Sequence, residues 1–198
     1  MSRVVFDISL SLDGFVTAAP QTAEEPLGPG GEQLHGWLVD RDYLERAIAD
    51  LGAVVAGRTT YDHSVPGWQA DGPSGDARRP VVVVTHRAPA PDTVPEGGVY
   101  TFVTDGIASA IEQAKVAADG RTVTVMGGAD LGRQCIAAGL VDELSLHVAP
   151  LLFGSGTAMF AGLDIGHVQL ELLDCLASPE AVHLRYRVVG RDRAQQAA

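Results

Sequence analysis

Ala53-Val54-Val55-Ala56-Gly57-Arg58-Thr59-Thr60-Tyr61, residues 53–61, is the stretch whose reading decides the architecture. Its apolar start has no polar alternation and reads as a short buried strand. Gly57 ends the strand, and the hydroxyls of Thr59 and Thr60 suit the capping of a helix from Tyr61 to Val65. The same order returns at Thr122-Val123-Thr124-Val125-Met126-Gly127-Gly128-Ala129-Asp130-Leu131, where a strand meets paired glycines and then a helix from about Asp130 to Ala138. Strand, glycine turn and helix, used twice, is the grammar of an α/β sheet.

Working outward, Val4-Val5-Phe6-Asp7-Ile8-Ser9-Leu10 reads as a buried strand that reaches a turn at Asp13-Gly14. Leu44, Ala47, Ile48 and Leu51 recur at i, i+3, i+4 and i+7, which predicts an amphipathic helix over 42–51. Pro80 precedes Val81-Val82-Val83-Val84-Thr85, a β-branched run expected in a central strand covered on both faces. A strand over 99–103 and a helix over 105–118 follow. Leu144, Leu146 and Val148 then alternate with Glu143, Ser145 and His147, and Val182 to Val188 alternates with His183, Arg185 and Arg187, the pattern of antiparallel strands with one polar face. The expectation is one domain over 1–190, a mixed central sheet carrying helices and finished by antiparallel strands, with 191–198 as a tail. Residues 19–36 hold Pro20, Pro26, Pro29 and four glycines with little periodicity, and read either as a lid over a site or as disorder.

Composition narrows the function classes. At 198 residues and 46% hydrophobic content the chain can bury one sizeable core. Its net charge of −11 is spread along the chain and disfavours nucleic acid or an anionic membrane as a partner. Neither a signal peptide nor a membrane span is indicated, so a cytoplasmic location is expected. Cys135 and Cys175 lack zinc spacing and read as small buried apolar side chains. The six histidines, His35, His63, His86, His147, His167 and His183, are dispersed, and no metal site is expected.

The two glycine turns are the first candidate site. Unpaired N–H groups and the positive end of a helix dipole point outward at such places, and glycine lets a phosphate approach the backbone. Thr85-His86-Arg87 stands at the C-terminal edge of the valine strand, where ligands of α/β sheets usually bind. With Arg58 it offers the positive chemistry that a ribose 2′-phosphate requires, favouring NADPH over NADH, although Arg87 alone reads equally as a solvated loop cation. GxGxxG after the first strand, GxxxxGK[ST], GxSxG and the zinc-deaminase signature are all missing.

These segments resemble the dihydrofolate-reductase-like superfamily, in particular the reductase domain at the C-terminus of bifunctional riboflavin-biosynthesis proteins and its stand-alone relatives. The resemblance rests on Ser9-Leu10-Ser11-Leu12-Asp13-Gly14, Gly57-Arg58-Thr59-Thr60-Tyr61, Gly127-Gly128, and Gly139 to Leu144 leading to Pro150-Leu151-Leu152-Phe153-Gly154-Ser155-Gly156. It implies a three-layer α/β fold with helices on both faces of a mixed sheet. It also implies a homodimer and NADPH held by Gly57, Arg58, Thr59, Thr60, Thr85, His86, Arg87, Met126, Gly127, Gly128, Ala129, Asp130 and Leu131. Asp13, Trp37, Phe153, Ser155 and Gly156 would shape the pocket of a small-molecule substrate, a pterin-like or flavin-precursor-like heterocycle reduced at C=N or C=O. Asp13 and Asp42 are the candidate acids. Asp13 reads equally as turn chemistry, and Asp40 and Asp42 as carboxylates favoured at a helix start. Two departures bear on the substrate: the partner deaminase domain is missing, and Met126 stands where the riboflavin enzymes commonly carry an acid. Three functions follow: an NADPH-dependent reductase, a dinucleotide-binding module of the same fold without turnover, and a true folate reductase.

Overall fold

The computed structural model describes residues 2–163 and 165–191. Its main sheet has eight strands in the order β5 (Tyr100–Val103), β4 (Val81–Val84), β3 (Leu51–Gly57), β6 (Thr122–Met126), β1 (Val4–Ser11), β7 (Glu143–Ala149), β10 (Val182–Arg191) and β9 (Val168–Ala177). The first six are parallel, and β10 runs antiparallel to both of its neighbours. This is the mixed sheet with antiparallel C-terminal strands that the patterns predict. β10 extends to Arg191, one residue into the expected tail, and 192–198 lie outside the described residues.

Period-two alternation sends the two sides of each strand into different layers. Val4, Phe6 and Leu10 of β1 pack with Val123 and Val125 against Ile111 and Ala114 of α3 (Ile107–Ala118) and Leu131 and Ile136 of α4 (Ala129–Ala137). Tyr61 of α2 (Arg58–Trp68) packs on the opposite face over Val54, Val81 and Val83. Gly132 shows how close the layers come: a Cβ there would lie 2.2 Å from the Phe6 ring.

Three local expectations are corrected and one small sheet is added. The helix predicted over 42–51 is α1 (Arg41–Ile48), with Leu51 already in β3; none of its residues is buried, because its neighbours are the polar half of the sheet. Within 19–36, residues 31–36 join a 3-10 helix, Gly31–Val39, that buries Leu34 and Trp37, so apolar anchoring overrides the loop composition. A small second sheet pairs β2 (Phe15–Ala18) with β8 (Gly156–Ala158), too short for periodicity to reveal. Cys175 is exposed on the edge strand β9, whereas Cys135 is buried. Burial pushes the Cys135 thiol up to about 11. A thiol-exchange reagent at pH 8 should therefore titrate one cysteine per native chain and two after denaturation; two fast-reacting thiols in the native protein would contradict this packing.

Candidate cofactor and substrate site

Six parallel strands end on one edge of the sheet, and three of them lead into helices through glycine. Gly57, Gly106 and Gly128 are the N-caps of α2, α3 and α4, and none supplies a capping side chain. The caps expected from Thr59 and Thr60 are not made: Thr59 is exposed, and Thr60 has another partner. Its Oγ1 accepts the Gly128 N–H at 3.2 Å and ties the two predicted glycine turns together. Gly127, at φ +109°, is required there, since a Cβ would fall 2.2 Å from Thr60 Oγ1. Gly57 faces Leu131, a contact of 3.9 Å for an added Cβ, and Ala129 and Leu131 are buried. First-turn N–H groups of α2 and α4 thus remain open side by side, an arrangement suited to phosphates.

The third segment joins them. The Arg87 carbonyl accepts from Arg58 Nη1 at 2.9 Å and from Thr85 Oγ1 at 2.8 Å. Arg58 also spends its Nε on Asp62, at 2.7 and 2.9 Å to the two oxygens, so its guanidinium is largely engaged. The Arg87 side chain is exposed and carries no ion pair among the described residues, which makes it the free cation of the cluster. His86 is exposed beside it. Met126 is half-buried at the end of β6. Asp130 is exposed on the first turn of α4, where it accepts from Gln134 at 2.8 Å.

The substrate-side expectations fare differently. Asp13 accepts from Ser11 Oγ at 2.5 Å and from the Phe153 and Gly154 N–H groups at 3.2 and 2.7 Å. The Ser11 hydroxyl foremost, and then these amides, hold its carboxyl below the usual range against a smaller opposing desolvation. Asp13 is thus a clamp between the end of β1 and the 153–154 loop, and its donors favour the ionised carboxylate over a form that holds a proton to deliver. Asp42 is exposed in the first turn of α1, away from the glycine turns, and Asp40 is the N-cap of that helix, accepting the Tyr43 N–H at 2.9 Å. Asp13 stands just past the end of β1, on the same sheet edge as the glycine turns, and Asp42 does not. Phe153 is half-buried and Ser155 is exposed. Gly156 opens β8 so close to β2 that a Cβ would lie 1.8 Å from the Thr17 carbonyl oxygen.

Trp37 is buried, gives its Nε1–H to Ser9 Oγ at 2.9 Å and lies over His147. The groups beneath it, Asp7, His147 and His183, are the ones that sequence reasoning missed. Alternation placed both histidines on a polar strand face; the unseen fact was that α1 and the 3-10 helix cover that face.

The family model described as the RibD C-terminal domain matches residues 2–184. Among solved structures, a protein from Shewanella sp. PV-4 named for riboflavin biosynthesis is 20% identical at a TM-score of 0.70, over 98% of this chain and 100% of its own. Acinetobacter baumannii RibD is 21% identical at 0.66, over 96% of this chain and 59% of that one. A Thermotoga maritima diaminohydroxyphosphoribosylaminopyrimidine deaminase/5-amino-6-(5-phosphoribosylamino)uracil reductase is 14% identical at 0.63, over 94% and 56%. The chain therefore spans little more than half of the last two, and likeness at these identities shows the fold. No functionally curated protein matches the chain.

Proposed function

The chain belongs to the RibD C-terminal domain family, and from that premise we propose that it is an NADPH-dependent reductase of a small heterocyclic substrate. The observation that carries the cofactor reading is the Thr60–Gly128 tie, which sets two glycine-capped helix starts beside the free Arg87. NADPH, when bound, supplies a hydride to a C=N or C=O bond. Backbone N–H groups in the first turns that follow Gly57 and Gly128 would hold the pyrophosphate, and Arg87 would grip the 2′-phosphate. The relatives' names suggest a phosphoribosylamino-pyrimidine as substrate class, and pterins are the second class to test.

Titration calorimetry with NADPH and NADH side by side tests the cofactor. One charge-assisted phosphate contact is worth about 1.5–3 kcal/mol, so NADPH should bind roughly 10- to 100-fold more tightly, and Arg87→Ala should remove most of that preference. Equal affinities in the unmodified protein, or no binding, would sink the reading. Tight NADPH binding without NADPH oxidation in the presence of 5-amino-6-(5-phosphoribosylamino)uracil, pterins or quinones would favour the binding module instead.

Cytoplasmic location and a homodimer belong to the same proposal; cell fractionation and light scattering test them. The apolar strand around Leu144 and Val148, β7, lies inside the sheet, and Leu144 is buried. The homodimer reading puts its contact on the outer strand β9, where Leu170, Leu172 and Leu176 are exposed.

A further inference from the structure

The polar face beneath α1 and the 3-10 helix carries a chain of hydrogen bonds that the cofactor cluster does not use. Asp7 Oδ2 lies 3.1 Å from His147 Nε2, and His147 Nδ1 lies 2.8 Å from His183 Nδ1. Strand register builds it: Ser9 pairs with His147 across β1 and β7, and His147 with His183 across β7 and β10. Both rings are sealed, at 1% and 4% exposure. Trp37 covers His147 at a ring separation of 4.0 Å, and Tyr43 stacks on His183 at 3.9 Å. His183 Nε2 is buried with no hydrogen-bond partner. His183 also lines a cavity of about 240 Å³ that runs from Thr124 on β6 past Asp7 and Ser145 to Arg185 and Asp174.

The tautomers follow from these contacts. Asp7, as a carboxylate, only accepts, so His147 gives it the Nε2–H. His147 Nδ1 must then accept, His183 Nδ1 must donate, and His183 Nε2 is left as a bare lone pair. One added proton reverses the second bond. His147 then carries both of its protons between Asp7 and His183, and His183 turns a donor N–H outward at Nε2.

We propose that Asp7, His147 and His183 form a one-proton relay whose delivery end is His183 Nε2, buried on a residue that lines this cavity. Its use in catalysis rests on the reductase reading; its existence does not. When a C=N or C=O acceptor receives a hydride, the π pair moves to the heteroatom, which takes the His183 Nε2 proton. The His147 Nδ1 proton passes to His183 Nδ1, His147 becomes neutral with its Nε2–H still on Asp7, and one proton from solvent reloads the chain.

The surroundings suit this division of labour. Burial, and then His147, push the His183 imidazole toward its neutral form. Burial, Asp7 and Asp174 push the Tyr43 hydroxyl up to about 12, too weak an acid to compete at neutral pH. The other charged or titratable neighbours are His35, Asp40, Arg46 and Arg185, with Arg3 and Asp50 at the cavity wall. The unpartnered nitrogen also argues for a ligand, since a buried lone pair without a partner is costly and a donor seated there recovers that cost.

The experiment follows ¹⁵N-labelled histidines and tryptophan fluorescence of the full chain from pH 5 to 9, with NADPH present. At the basic end His147 should hold its proton on Nε2 and His183 on Nδ1. On acidification a single shared step should doubly protonate His147, move the His183 proton to Nε2, and quench Trp37, because an imidazolium in contact with an indole quenches it. Asp7→Asn should lower that midpoint by about one pH unit or more, and Asp7→Glu should restore part of the shift. A His183 that carries its proton on Nε2 at the basic end, two independent histidine steps, or an unshifted midpoint in a folded Asp7→Asn protein would overturn the relay. Failure of NADPH to bind would sink the reductase reading while leaving these spectra unchanged.

Discussion

Phe6→Ala is expected to lower the unfolding free energy by about 3–5 kcal/mol, a large fraction of the 5–15 kcal/mol that holds a domain together. Phe6 is fully buried on β1, and its ring lies against Gly132 on α4 so closely that no other side chain fits at that helix position. Truncation leaves a void that rigid strands on either side cannot fill. The same geometry predicts a coupling. In the unmodified protein Gly132→Ala drives a methyl into the ring and destabilises; beside Phe6→Ala the methyl enters vacated space and adds up to about 1 kcal/mol of helix propensity. Urea unfolding of the two single variants and the double variant reads the difference. A loss below about 1 kcal/mol for Phe6→Ala, or strict additivity, would mean that α4 does not sit on β1 as described.

The second large effect falls on the cofactor. Gly127→Ala should weaken NADPH binding by roughly 10- to 100-fold, or about 1.4–2.8 kcal/mol, while the chain still folds. Two strains combine: φ of +109° suits glycine alone, and the new Cβ strikes Thr60 Oγ1. Relief requires the turn to swing away, which breaks the Gly128 to Thr60 hydrogen bond and separates the helix starts. Thr60→Ala removes the hydroxyl without straining the backbone and should cost less. Calorimetry of both variants against unmodified protein, with circular dichroism to confirm folding, decides it. Unchanged affinity in Gly127→Ala would show that the pyrophosphate does not use this turn.

Much of this was legible in residue order. Val81 to Val84 and the alternation around Leu144 announced a mixed sheet, because strand periodicity is a local signal. The pairing of the 53–61 and 122–131 segments was inferred from repeated grammar, and the Thr60 bridge supplies its geometry. What stayed hidden depends on which element covers which. The three donors to Asp13 and the place of Trp37 over His147 come from segments far apart in the chain or from backbone groups, and residue order does not display them. Asp7 sat unremarked in an apolar run, since only the β1–β7–β10 register brings it beside histidines 140 and 176 residues away.

Because α1 buries none of its own residues, its amide protons have little tertiary packing to protect them. Deuterium should replace them through small, frequent openings of residues 41–48, whereas β1 and β6 should exchange only when the whole molecule unfolds. The free-energy landscape then has a shallow exit over the histidine pair, separate from its deep one. A ligand bound beneath α1 would enter and leave there without drawing on the stability of the core.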